Sequence, residues 1–204
     1  MIQAAETYLK VRRLTLFVAA TLAFAALCAM SQQRVLEVPG IFGGGAGSLP
    51  LSAIPVLLLA VALAYSFSAR HAYFEACAPR QLAVWDSGLF LAMLALVCAV
   101  LGLAALLFGI ETATIVRHAL LLCSATAIVG NITNYELGAS AATLWLLTAS
   151  VYGPRLDHTE YIRLFQPEAL PEFAWALAAV LVLTSVASFY VPARLAFHHQ
   201  GNLA

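Results

Sequence analysis

Between residues 14 and 191 the chain passes through six apolar stretches almost free of charge, and this succession limits what it can fold into. A soluble domain carries about 25% charged residues. Here 10% of the 204 residues are charged and 63% are hydrophobic, with a mean hydropathy of +0.91. So much apolar surface has no polar face to turn to water, and the natural solvent is a bilayer. Inside a bilayer the backbone must satisfy its own hydrogen bonds, which long unalternating apolar runs do as helices. The expected fold is an all-α integral membrane protein, with six transmembrane helices, both termini cytoplasmic, and short interfacial helices.

The spans are expected at 14–30, 51–67, 89–108, 112–130, 137–152 and 173–191, in a transmembrane domain over 14–194 with a cytoplasmic tail at 195–204. In residues 1–13, Ile2, Ala5 and Leu9 share one helical face ahead of Lys10, Arg12 and Arg13. That pattern predicts a cytoplasmic interfacial helix; a solvated tail is the alternative. The flank AALCAM lacks a small-x-small cleavage pattern, so the first stretch is read as an uncleaved span. Its Ala19, Ala23 and Ala26 would let a neighbouring helix approach closely. The segment NITNYELG (131–138) separates spans four and five; without that break they would merge into one very long helix. Arg117, near the start of span four, can snorkel to the headgroups.

Charge sets the sides. Lys10, Arg12, Arg13, Arg70, Arg80 and Arg194 fall inside, and Arg34, Arg117, Arg155 and Arg163 outside, a modest positive-inside bias. Tyr65, Trp85, Tyr152, Trp175 and Tyr190 lie near span ends, as an aromatic belt requires.

Several chemistries find no support. The run GIFGGGAGSLP lacks the Lys that a phosphate-binding loop needs after its last glycine, and reads as a turn or a shallow re-entrant dip. His158 with Asp157 and Glu160, and the pair His198–His199, lack a full metal-ligand set. Cys28, Cys77, Cys98 and Cys123 have no CxxC spacing and read as free thiols. No basic stripe points to nucleic acid, and no nucleophile motif to hydrolysis. No enzyme activity, cofactor site or metal site is therefore expected in this chain. An unpaired charge at mid-bilayer costs roughly 3 kcal/mol or more, and the near absence of such charges disfavours a proton pathway.

Three polar groupings remain. The longest is the island at residues 68–88, which holds Arg70, His71, Phe74, Glu75, Arg80, Trp85 and Asp86 between two spans. Residues 69–78 have helix-compatible composition ahead of Pro79, so a short amphipathic helix for docking a soluble partner is expected; a plain loop is the alternative. The second comprises Ser124, Thr126, Asn131, Thr133 and Asn134, which would either line a polar cavity or cap helix ends. A third polar segment, 154–172, places Tyr161, Leu164 and Phe165 at the spacing of a small interfacial helix on the outer side.

Taken together, the basic N-terminal segment, six spans, the island between spans two and three and the polar segment between spans five and six resemble the membrane subunit of a type-2 ABC exporter. The tract RHALLLCSATAIVGNITNYELGASAATLWLLTASVYG is also similar to small membrane proteins encoded beside bacterial transporters. The resemblance implies a homo- or heterodimer of permease subunits in the lipid of a bacterial cell membrane. It implies separate cytoplasmic ATPase subunits carrying ATP and Mg, with the island as the coupling element and an amphiphilic or apolar cargo. Two other classes stay open: the substrate-capture subunit of a vitamin importer, docking through Ala19 and Ala23, and a non-catalytic assembly, immunity or regulatory protein.

Overall fold

The computed structural model describes residues 2–31, 35–38, 47–50, 53–68, 79–152 and 171–190. It is helical apart from one short strand pair. In chain order the elements are α1 (Ile2–Val11), α2 (Leu14–Met30), β1 (Val35–Val38), β2 (Gly47–Pro50), α3 (Ala53–Ser68), α4 (Pro79–Phe108), α5 (Ala113–Ile132), α6 (Tyr135–Tyr152) and α7 (Pro171–Ser188). Among the described residues, two helical stretches are long and apolar enough to cross a membrane: Leu82–Phe108, of 27 residues, and Ala113–Ile132, of 20. At 1.5 Å per residue they measure about 40 and 30 Å, against a hydrocarbon core of about 30 Å. Leu14–Met30, Ile54–Ser68 and Glu172–Ser188 are apolar but shorter.

Local chemistry explains where the helices stop. Gly109, at φ +65°, follows the last residue of α4 and its N–H donates to the Ala105 carbonyl, a left-handed cap that glycine adopts without strain. Between α5 and α6, Asn134 Oδ1 accepts from the Leu137 N–H at 2.7 Å and Thr133 Oγ1 donates to the Val129 carbonyl at 2.7 Å. The break at residues 133–134 is thus capped from both sides, and one merged helix is ruled out. Pro171 opens α7 with Glu172 in its first turn, where a missing N–H and a negative charge both suit a helix N-terminus.

Two expectations need correction. Pro79 begins a helix rather than ending one, so α4 starts ten residues before the expected span at 89–108 and takes in Arg80, Trp85 and Asp86. Proline lacks only an N–H that the first helical turn leaves unpaired anyway. The segment after α2, expected as a glycine-rich loop, contains an antiparallel strand pair, with Val35 opposite Pro50 and Val38 opposite Gly47. The glycine run at 39–46, the expected docking helix at 69–78, the outer segment 153–170 and the tail at 191–204 lie outside the described residues.

In the bundle, α3 and α5 are the inner helices. α3 packs on α2, α5 and α6, and α5 on α6 and α7, whereas α4 packs chiefly on α2 and only lightly on α5 and α7. Phe17, Phe24, Leu59, Leu63, Phe67, Phe90, Met93 and Leu122 form a continuous core. α2 turns Phe17, Thr21, Phe24 and Cys28 inward, which leaves Ala19, Ala23 and Ala26 exposed rather than against a neighbour in this chain. Ring contacts gather several helix ends at one pole. Phe67, at the end of α3, meets Tyr135, at the start of α6, and Phe189, just past α7. Phe90 of α4 also meets Phe189.

Candidate functional site

At that pole a buried polar cluster joins α1 to two other helices. α1 and α2 are separated at Arg12–Arg13, where Arg13 adopts a left-handed conformation (φ 52°, ψ 39°) that residues other than glycine rarely take. The turn sends the Arg12 side chain inward. Its guanidinium donates to Asp86 Oδ2 at 2.7 Å, and both side chains are almost wholly buried, at 3% and 5% exposed. A second nitrogen makes a longer contact, 3.4 Å, to the Phe67 carbonyl. The Tyr8 hydroxyl donates to the other oxygen of Asp86. The guanidinium also lies 5.6 Å from the ring centres of both Tyr8 and Phe67, within cation–π range. Tyr8 packs against Trp85 at 5.7 Å, and Arg13 sits 4.0 Å over the Tyr65 ring.

The electrostatics follow from burial. Two charges removed from water hold together only if their remaining donors and acceptors find partners, and here Tyr8, the Phe67 carbonyl and two ring faces supply them. Burial, and then donation to Asp86, pushes the Tyr8 hydroxyl well above the usual tyrosine range. Lys10 pairs with Glu6 at 2.7 Å on the exposed side of α1, where water and salt screen the interaction.

Of the residues expected to dock a partner, Asp86 is inside the fold and faces Arg12 and Tyr8, so its carboxylate is not offered to a soluble partner. Trp85 is about half exposed beside it. Arg80 lies in the first turn of α4, and Arg70, His71, Phe74 and Glu75 fall outside the described residues. The structure therefore joins Trp85 and Asp86 to α1, a link that spacing alone could not reveal because the partners are more than 70 residues apart.

The second polar grouping does not converge on one cavity. Thr133 and Asn134 are exposed and engaged in capping, and Thr126 donates to the Leu122 carbonyl of its own helix at 2.8 Å. Ser124 is fully buried in α5. Only Asn131 reaches across helices, donating to Ser188 Oγ at 2.8 Å and accepting from the Tyr135 hydroxyl. This seam is tight: a Cβ on Gly130 would lie 2.5 Å from the Tyr135 ring, and one on Gly138 2.5 Å from the Thr126 carbonyl oxygen.

Arg117 also departs from expectation. It is 3% exposed and His118 1%, both in the first half of α5, so the Arg117 side chain is covered by protein rather than open at the surface. Among the described residues no group of three or more His, Cys, Asp or Glu could hold a metal, and Cys28, Cys98 and Cys123 are free. No protein-family description, curated protein or solved structure matches this chain.

Proposed function

We propose that this chain is the membrane-spanning permease subunit of an ATP-driven exporter in a bacterial cell membrane. In this reading it has six spans with both termini cytoplasmic, and a separate ATPase docks at the loop 69–78. The observation that carries the reading is the placement of Arg12. One side chain contacts both stalks of that loop, the Phe67 carbonyl on the α3 side and Asp86 on the α4 side. A push delivered to the loop would reach α1, α3 and α4 together, which is what a coupling element must do.

The surface supports a bilayer setting. Large apolar side chains are exposed on every described helix, among them Met30, Leu106, Leu144 and Leu183, a distribution that water penalises and lipid accepts. The carboxylates of the described helices and their junctions, Glu6, Asp86, Glu111, Glu136 and Glu172, all lie away from the helix centres that a bilayer would cover, apart from Glu6 on the short α1. An amphiphilic or apolar cargo suits such a bundle better than a small cation.

The test is co-purification from detergent with the products of neighbouring genes. A soluble ATPase should co-elute with this chain and be lost on Glu75→Ala/Arg80→Ala substitution. Retention by the double variant would remove the loop from the docking role. If no ATPase binds, the exporter reading fails in favour of an assembly, immunity or regulatory protein, and a co-purified vitamin would favour the importer subunit.

A further inference from the structure

Residues 1–30 contain no glycine or proline, and the stretch from Leu9 to Leu16 is built from Leu, Lys, Val, Arg and Thr, most of them strong helix formers. Nothing in this local sequence asks for a break. The chain nevertheless ends α1 at Val11 and begins α2 at Leu14. The Arg12 and Arg13 N–H groups still donate back to the Tyr8 and Lys10 carbonyls, so the backbone stays hydrogen-bonded up to the one residue that turns. Among the described residues, Arg13 alone combines a side chain with a positive φ. Helices that stop on a left-handed residue usually place glycine there, as α4 does at Gly109.

A break without a breaker must be held from outside, and the contacts that hold this one are tertiary. Arg12 reaches Asp86 at 2.7 Å and the Phe67 carbonyl at 3.4 Å, and Arg13 lies 4.0 Å over the Tyr65 ring. Tyr8 donates to Asp86 and packs on Trp85. Against them stand a left-handed arginine, the kind of outlier that gathers at switch regions, and two desolvated charges. Straightening at Arg13 relieves both: its backbone returns to the ordinary helical basin, and Arg12 returns to water.

We propose that α1 is a two-position latch, either clamped across α3 and α4 with a kink at Arg13 or released as the first turns of one continuous helix over residues 2–30. The straight helix is about 43 Å long, against about 25 Å for α2 alone, which falls short of a hydrocarbon core of about 30 Å. The extension carries Lys10, Arg12 and Arg13 to the level where the helix leaves the hydrocarbon, a level that favours cations. Release also uncovers Asp86 and the face of Trp85 that Tyr8 covers. The latch thereby decides whether that carboxylate is offered to a partner. The two positions rest on the clamp geometry; only the trigger, a partner at the loop 69–78, rests on the exporter reading.

The test is the distance between two nitroxide labels on the full chain in detergent, with no ATPase present. Cys28, Cys77, Cys98 and Cys123 are replaced by alanine, and labels are attached through Glu6→Cys on α1 and Leu27→Cys on α2, both exposed positions. A continuous helix sets them about 31 Å apart, and a kink brings them closer. The parent chain should give the shorter distance. Asp86→Ala and, from the other side of the pair, Arg12→Gln should each move the population to a narrow peak near ~31 Å. Arg13→Gly suits the left-handed turn and weakens the straight helix; added to Asp86→Ala, it should lower the straight-to-kinked ratio about fivefold or more. Circular dichroism reports helix content throughout. A parent chain already at the long distance would overturn the latch, and so would release variants that keep the parent distance. A broad distribution without the long peak would show a frayed α1 and overturn it too, as would a ratio that Arg13→Gly leaves unchanged. Failure of ATPase co-purification would remove the trigger and leave the two positions standing.

Discussion

Replacing Asp86 by alanine removes the carboxylate that the buried Arg12 guanidinium meets at 2.7 Å. Arg12 would keep a 3.4 Å contact to the Phe67 carbonyl and two ring faces at 5.6 Å. Those ring contacts contribute about 0.5–2 kcal/mol at most. Removing one partner of a buried ion pair typically costs about 3–5 kcal/mol, because the other charge stays desolvated. At about 1.4 kcal/mol per tenfold, the equilibrium for docking α1 should move by roughly two to three and a half decades toward release. The Tyr8 hydroxyl loses its acceptor in the same variant, so that loss is contained in the figure rather than added to it.

A Trp145→Phe/Trp175→Phe background leaves Trp85, which packs on Tyr8, as the reporter. Release of α1 should shift its emission to the red. Unfolding in mixed micelles then gives the free energies for Asp86→Ala, Arg12→Met and the apolar pair Arg12→Met/Asp86→Leu. The double replacement should recover most of the loss, since a matched apolar pair carries no stranded charge. A coupling energy below about 0.5 kcal/mol, with the two single costs simply adding, would refute the reasoning.

Gly138→Ala should lower the melting temperature by an amount equivalent to about 1–3 kcal/mol, because its Cβ meets the Thr126 carbonyl oxygen at 2.5 Å and backbone cannot turn aside. Gly102→Ala, with nothing within 4 Å, should hold or raise it, and equal melting of the two in detergent would contradict the tight α5–α6 seam. The raised Tyr8 hydroxyl gives a pH signature. An undocked tyrosine ionises near pH ~10 whereas the docked one resists, so this contribution is full below about pH 10 and is lost as pH rises above it. Trp85 emission followed upward from about pH 8 should show the loss, and Tyr8→Phe should flatten it.

The apolar runs made the helices legible. The expected stretch 14–30 coincides with α2, and 112–130 and 137–152 differ from α5 and α6 by at most two residues at either end. Periodicity was less use at Pro79, since one proline can close a helix or open the next, and only the chain beyond it decides. The strand pair was hidden because four-residue strands beside a glycine run carry too little pattern to stand out. The clamp was illegible for a different reason. Asp86 in the sequence is one charge in a charged island, and its pairing with Arg12 across 74 residues depends on how α1 turns at Arg13. Arg117 and His118 were equally hidden: a cation near a span end reads as reaching outward, and only the structure shows that it is covered.

The turn at Arg13 also decides whether α1 is a tail or part of the fold. A left-handed arginine costs on the order of 1–3 kcal/mol and persists only where surrounding contacts hold it. The two adjacent arginines supply those contacts on different helices, Arg12 to Asp86 of α4 and Arg13 to the Tyr65 ring of α3. Relaxing Arg13 to an ordinary conformation would swing α1 out of register with both. The strain and the clamp therefore sustain each other, and α1 leaves the bundle only when both α3 and α4 let go. A frayed tail would need neither the buried charge nor the strained junction. The chain has both, on neighbouring side chains that together contact α3 and α4, so the N-terminal helix and the adjoining ends of α3 and α4 should move as one unit.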